Sequence, residues 1–383
     1  MSNKKISFNR GEWAELYVLY CLLSQQVLLV ADPTHKNESF YLPILSVERL
    51  DGKDRVVKYK IQDSSVIVTE NAEEFSIIPA LEFDHFSKKL KNDIKRASGR
   101  SFSIDSESIN FMKKAKVICP KAQSFPMDTE GAQIGGKSDL LLTFYNERLQ
   151  REQRAGFSIK TKFSHPATLQ NGSSVTNFRY ELVDLEPAKA EEINNIRQGN
   201  YPDFFTRCEQ LELYCTKIVP CGVAPNRNGD VFRENLMLVD SKEEETLSRI
   251  LQLHYFERPH IARLKDMPRA LANYYEPPGK IGFYSQLYEK RISDYLFAVF
   301  SGLIPSKPWD NHKALDGGYL CVNENFDIVA ALAADSEKFK AYLLDNTRLD
   351  HPSATEKRSN YGFVFKEGGK YYIDLNLQIR FTR

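Results

Sequence analysis

The chain has 383 residues, with 52 Lys+Arg against 51 Asp+Glu and a formal net charge of +1. Such a length buries a large core as one big domain or two modest ones, and the charge balance excludes a uniformly basic coat while allowing a basic cleft offset by acidic surface. The six cysteines fall at no CxxC spacing, so neither a disulfide frame nor a zinc site is expected; without a signal peptide or a membrane-length apolar run, the sequence predicts a cytoplasmic protein with no membrane segment.

The spacing of Trp13, Leu16, Tyr17, Tyr20 and Leu23 predicts a helix over 11–23. Glu12 and Glu15 stand three apart on one side of it. Acids there favour the helix dipole, so by themselves they read as helix-stabilising. Short strands follow at 41–47, 56–61 and 65–68, broken by Asp51-Gly52 and Gln62-Asp63. They suggest a small β-rich insertion over about 41–70. A helix over 82–97 carries Lys88, Lys89, Lys91, Lys95 and Arg96, with Arg100 just beyond and Asp93 the single acid among them. Such a run is either a solvated face or a surface that tracks phosphates.

The organising stretch is a hairpin with strands over 136–144 and 156–162 and a polar connector over 146–155. Alternation places Ser158, Lys160 and Lys162 on one face and Phe157 and Ile159 on the other. A symmetric connector sets Leu141 opposite Lys160 and Asp139 opposite Lys162, which leaves Asp139 and Lys160 as diagonal neighbours. A strand-borne carboxylate suits magnesium, which keeps most of its waters and takes one or two protein carboxylates. A lysine beside it orients the attacking water or offsets developing charge. Spacing alone fits an ordinary solvated strand equally well.

Downstream lies a polar loop over 164–174 containing Gln170, Asn171 and Gly172. A strand over 176–182 then shares Asn177, Arg179 and Glu181 on one face. Asn, Gln and Arg match base edges in the major groove, although turns also use the amides. Helices are expected at 187–196, 204–215, 242–256 and 283–302, with a strand at 231–239. The proline-bearing stretch 259–279 reads as a linker between a core at 1–258 and an α+β lobe at 280–383, free-standing or packed on the core as one domain. In that lobe, a hairpin over 318–322 and 328–333 and a helix over 336–344 precede a second hairpin, 361–366 with 371–381. The latter turns through Glu367-Gly368-Gly369 and alternates Gln378 with Arg380 on its last strand.

Gly136-Lys137-Ser138-Asp139 followed by Gly156-Phe157-Ser158-Ile159-Lys160 resembles the PD-(D/E)xK nuclease core in a divergent form. Gly11-Glu12-Trp13-Ala14-Glu15, Ser174-Val175-Thr176-Asn177-Phe178 and Leu375-Asn376-Leu377-Gln378-Ile379-Arg380-Phe381 resemble the HpaII family of type II restriction endonucleases, in the same order over most of the chain. The resemblance implies an α/β (α+β) fold with a mixed central sheet flanked by helices. It also implies magnesium-dependent cutting of both strands at a short specific site in double-stranded DNA. Asp139 is then the principal metal ligand, Lys160 positions the attacking water, and Glu15, with Glu12 as second candidate, completes the metal shell. Two departures stand out: no proline precedes Asp139, and Ser158 occupies the place usually held by an acid. Glu181 ranks behind Glu15 as the missing carboxylate.

Lys88, Lys89, Lys91, Lys162, Asn171, Asn177, Gln378 and Arg380 are the expected DNA contacts. Cutting a palindrome on both strands implies a two-fold homodimer, and restriction implies a cognate methyltransferase protecting the same site. The family's namesake cuts CCGG; the resemblance leaves open whether this chain shares that site. Two further readings stay open: a structure-specific nuclease on the same core, and a DNA-binding protein with a degenerate core, for which Ser158 is the best argument.

Overall fold

The computed structural model describes residues 7–31, 39–52, 55–126, 129, 138–146, 150–161, 168–198, 201–310, 317–323, 325–333, 336–351 and 361–382. The chain opens with α1 (Arg10–Gln25) and runs through β1 (Val27–Ala31), β2 (Ser39–Leu50), β3 (Val56–Gln62), β4 (Ser65–Glu70) and β5 (Glu73–Pro79) to α2 (Ala80–Arg96) and α3 (Ser106–Lys114). β6 (Leu140–Asn146) and β7 (Arg151–Thr161) form the central hairpin. Then come β8 (Thr168–Gln170), β9 (Asn177–Val183), α4 (Pro187–Asn194), β10 (Arg197–Gln198), β11 (Tyr201–Pro202), α5 (Phe204–Tyr214) and β12 (Lys217–Val223). Four helices follow: α6 (Val231–Val239), α7 (Glu243–Tyr255), α8 (Met267–Tyr275) and α9 (Ile281–Phe300). The last elements are β13 (Gly318–Val322), β14 (Ile328–Leu332), α10 (Ser336–Asn346), β15 (Thr347–Asp350), β16 (Val364–Glu367), β17 (Lys370–Asn376) and β18 (Gln378–Phe381).

These elements make a mixed α/β protein of two compact units, one of residues 1–167 with 314–339 and 383, the other of 168–313 with 340–382. The division expected at 259–279 is therefore corrected. That stretch contains α8, whose Met267, Leu271 and Ala272 are buried, and its Pro268 and Pro278 sit at helix starts, where the missing N–H costs nothing. The C-terminal lobe is corrected as well, because β13 and β14 return to the sheet of the first unit.

In the first unit, β1, β14, β13, β7, β6 and β2 pair in that order, and β1 pairs with β2, so six strands close into a ring. β3, β4 and β5 extend it from β2; the expected insertion at 41–70 is thus a continuation of the main sheet. The α1 helix is buried almost all round, a pattern that places it inside a core rather than on a surface. Trp13, Leu16, Val18, Leu19 and Leu23 share that core with Leu140, Leu142 and Phe157. Trp13 is fully buried, with its indole N–H donating to Phe102 O at 3.0 Å. Full burial of such a side chain stabilises by about 3 kcal/mol. Asn9 caps the helix: its side chain accepts from Glu12 N, and the Glu12 carboxylate accepts from Asn9 N at 2.9 Å.

The second unit carries a four-stranded antiparallel sheet, β12-β9-β17-β16, and a three-stranded one, β15-β18-β8. The stretch 231–239, expected as a strand, is α6: Phe232 and Leu236 stand four apart and are both buried, so the helical period wins over the β-branched ends. The strand expected at 371–381 breaks at Leu377, whose N–H donates to Thr176 O, and its two halves join different sheets.

Candidate active site

The central hairpin pairs Leu140 with Phe157 and Leu141 with Gly156, so the register expected from a symmetric connector is wrong by four residues. The turn is tighter than the polar connector suggested, since β6 reaches Asn146 and β7 starts at Arg151. An even shift keeps every side chain on its face. One step beyond the Leu140–Phe157 pair, Asp139 comes opposite Ser158 and remains a diagonal neighbour of Lys160. Asp139 is locked by two backbone bonds: its N–H donates to Phe157 O, and its carboxylate accepts from Ile159 N, each at 2.8 Å.

The α1 helix delivers a second carboxylate to this place. Glu15 accepts from Ala122 N at 2.9 Å. Burial first, and then the charge of Asp139, push its carboxyl up to about 8, while the Ala122 N–H, Arg49 and Lys121 oppose the rise. Burial likewise raises Asp139 above the ordinary carboxylate range against the Ile159 N–H and the charges of Lys160, Lys121 and Arg49. A cation bound between two half-buried acids that repel one another would favour the charged form of both. Hard oxygens in pairs fit a magnesium-type ion, which keeps its own waters and needs one or two carboxylates. Among the described residues no group of three or more His, Cys, Asp and Glu forms a dedicated cage.

Three neighbours carried no signal in the sequence. Arg49 on β2 is wholly buried, and its guanidinium donates to Cys119 O and to Pro120 O. It thereby grips the segment that presents Ala122 N to Glu15. Lys121 lies exposed on that segment, and its charge acts on both acids. Tyr319 on β13 pairs with Ser158, and the Lys160 ammonium lies 5.0 Å from the centre of its ring.

The other expected site residues fare differently. The Glu12 carboxylate is engaged in the α1 cap, which explains its place in the sequence without a metal. On α2, Lys88 pairs with Asp84 at 2.6 Å and Lys89 with Asp105 at 2.8 Å and Glu107 at 2.5 Å. Lys91 donates to Asn325 O at 3.1 Å. Lys162 lies outside the described residues. Asn171 is exposed, as a DNA contact requires. Asn177 and Gln378 are 3% and 5% exposed, which corrects the expectation of a base-reading face there. Asn177 instead accepts from the Asn376 amide at 2.6 Å, in a buried junction between strands. Arg380 pairs with Asp350 at 2.7 Å, and Glu181, the lower-ranked acid, with Lys370 at 2.8 Å.

A half-buried acid pair beside a strand-borne lysine, set on a mixed sheet, is an arrangement that metal-assisted hydrolysis can use. The chain matches the HpaII restriction endonuclease family over residues 9–381. It is 30% identical to the type II restriction enzyme HpaII of Haemophilus parainfluenzae over 388 residues, covering 98% of each chain. No solved structure matches it significantly. The chain belongs to the HpaII restriction endonuclease family and is a type II site-specific deoxyribonuclease, the DNA-cutting partner of a restriction–modification system. Enzymes of this type generally use divalent metal ions. No helix among the described residues is long and apolar enough to cross a membrane.

Proposed function

We propose that Asp139, Glu15 and Lys160 form the nuclease centre of a divergent PD-(D/E)xK core that makes magnesium-dependent double-strand cuts at a short DNA site. The observation that carries this reading is the arrival of Glu15, from the first helix, beside an aspartate and a lysine of one hairpin. Glu15 takes the part of the acid that Ser158 does not supply, and Ser158, 2% exposed, has an outer supporting role. Asp139 and Glu15 hold the metal, with Asp139 fixed by the Ile159 N–H and Glu15 by the Ala122 N–H. Lys160 orients the attacking water and offsets charge on the phosphoryl group. The bound cation supplies Lewis acidity at the scissile phosphate and lowers the pKa of a coordinated water.

A two-fold homodimer matches a palindromic site, and the methyltransferase of the system protects it. The 30% identity to an enzyme named HpaII supports CCGG as the first sequence to try. Incubation with plasmid tests the reading. Magnesium is expected to give discrete fragments, EDTA none, and calcium specific binding without cutting. Cutting in chelator overturns the metal mechanism; nicking that follows branches or mismatches instead of sequence favours a structure-specific nuclease.

A further inference from the structure

Lys160 must hold its ammonium beside a phosphate while attached to the strand by a flexible four-carbon stem. Such a stem loses rotamer freedom on being fixed, so something has to define where its head sits. The structure offers a partner that the sequence pattern does not contain. β13 runs parallel to β7 and pairs Tyr319 with Ser158 and Cys321 with Lys160. Tyr319 is buried, 5% exposed, and its ring packs against Phe339 at 5.7 Å. The Lys160 ammonium lies 5.0 Å from the ring centre, within the range where a cation is drawn to an aromatic face. The charge of Asp139 also reaches the Tyr319 hydroxyl, which places the ring within the acid–lysine cluster.

Resting on the proposed roles of Asp139 and Lys160, we infer that Tyr319 is a positioning residue for cleavage: its aromatic face holds the Lys160 ammonium where the attacking water is oriented. The function of the ring is its π-electron density, not its hydroxyl and not its bulk alone. A strand separated from β7 in the chain by residues 168–313 of the second unit thus completes the centre. Its identity is fixed by chemistry rather than by shape.

Four substitutions and a graded series separate these contributions. Tyr319→Phe keeps the face and should cut within about threefold of wild type, whereas Tyr319→Leu keeps bulk without π-density and should cut on the order of tenfold more slowly. Introducing phenylalanines with one, two and three ring fluorines at position 319 withdraws π-density stepwise at nearly constant volume. The logarithm of the single-turnover rate should fall steadily along that series, with binding of the same DNA in calcium unchanged. In a Lys160→Arg background, where a planar guanidinium replaces the point charge, the slope should change, because the cation it reports has changed. A flat series with active, folded proteins overturns the inference. Wild-type cleavage by Lys160→Ala overturns the proposed nuclease centre instead, so the two failures are distinguishable.

Discussion

Single side chains decide the chemistry through what surrounds them. Glu15 and Asp139 repel one another in a partly desolvated place, and each is steadied by one backbone N–H, so their oxygens are pre-arranged for a cation before any arrives. A second titrating group, in the other unit, concerns stability alone. His254 is buried, its Nδ1 lies 2.8 Å from Ile261 O, and burial first, then the charges of His260 and His351, lowers its pKa to about 4. An imidazole with a folded pKa below its ordinary 6.5 leaves the unfolded chain binding the extra proton between those values. Stability is therefore full above about 6.5 and falls as the pH drops towards about 4, by on the order of 3 kcal/mol. His254→Gln keeps a donor for Ile261 O and should lose less stability than wild type between pH 7.5 and 4.5 in urea titrations. Parallel losses would show that His254 is not the group concerned.

At this scale the sequence offered Asp139, Lys160 and Glu15 only as candidates: spacing alone fits an ordinary strand and an ordinary helix, and the family resemblance singled them out. Arg49 and Tyr319 leave none. An arginine in the strand run Val47-Glu48-Arg49-Leu50 and a tyrosine in Gly318-Tyr319-Leu320 look like ordinary strand residues until the pairing is known. Asn177 and Gln378 failed in the opposite sense. Their amides suit base edges, but burial turns them inward.

Among the elements, β13 has the most demanding position, between β7 on one side and β14 on the other. It starts at Gly318, where an added Cβ would lie 1.8 Å from Ala331 O, an atom of the neighbouring backbone that cannot swing aside. Gly318→Ala should push β13 off β14, destabilise the protein by about 1–3 kcal/mol and slow cleavage by disturbing Tyr319. Gly279→Ala, with nothing within 4 Å of the new methyl, is the matched control and should be neutral. Equal melting temperatures for the two variants would show that β13 is not so confined. Most helices and the hairpin of β13 and β14 were legible, since their periods are strong. The stretch that became α6 misled because a short apolar run fits either period until a partner surface selects one.

For the molecule as a whole, its division into units was the least legible feature. A unit assembled from residues 1–167 and 314–339 is discontinuous, and composition marks neither junction. Prolines in 259–279 suggested a linker, yet Pro268 and Pro278 open helical segments there. The balanced charge conceals any DNA-binding face in the same way, because Lys88 and Lys89 on α2 already stand in ion pairs. What joins these scales is Asp139, held at the start of β6 by the hairpin backbone and sharing its place with Glu15 from α1 and Lys160 from β7. The most direct test is single-turnover cleavage by Asp139→Ala, on a DNA that the wild-type enzyme cuts, with binding measured in parallel in calcium. The account predicts a cleavage rate lower by roughly a thousandfold or more, because metal and electrostatic contributions carry most of the catalysis. Binding should stay within about tenfold, or about 1.4 kcal/mol. Cleavage at close to the wild-type rate by a folded, DNA-binding Asp139→Ala protein would contradict it.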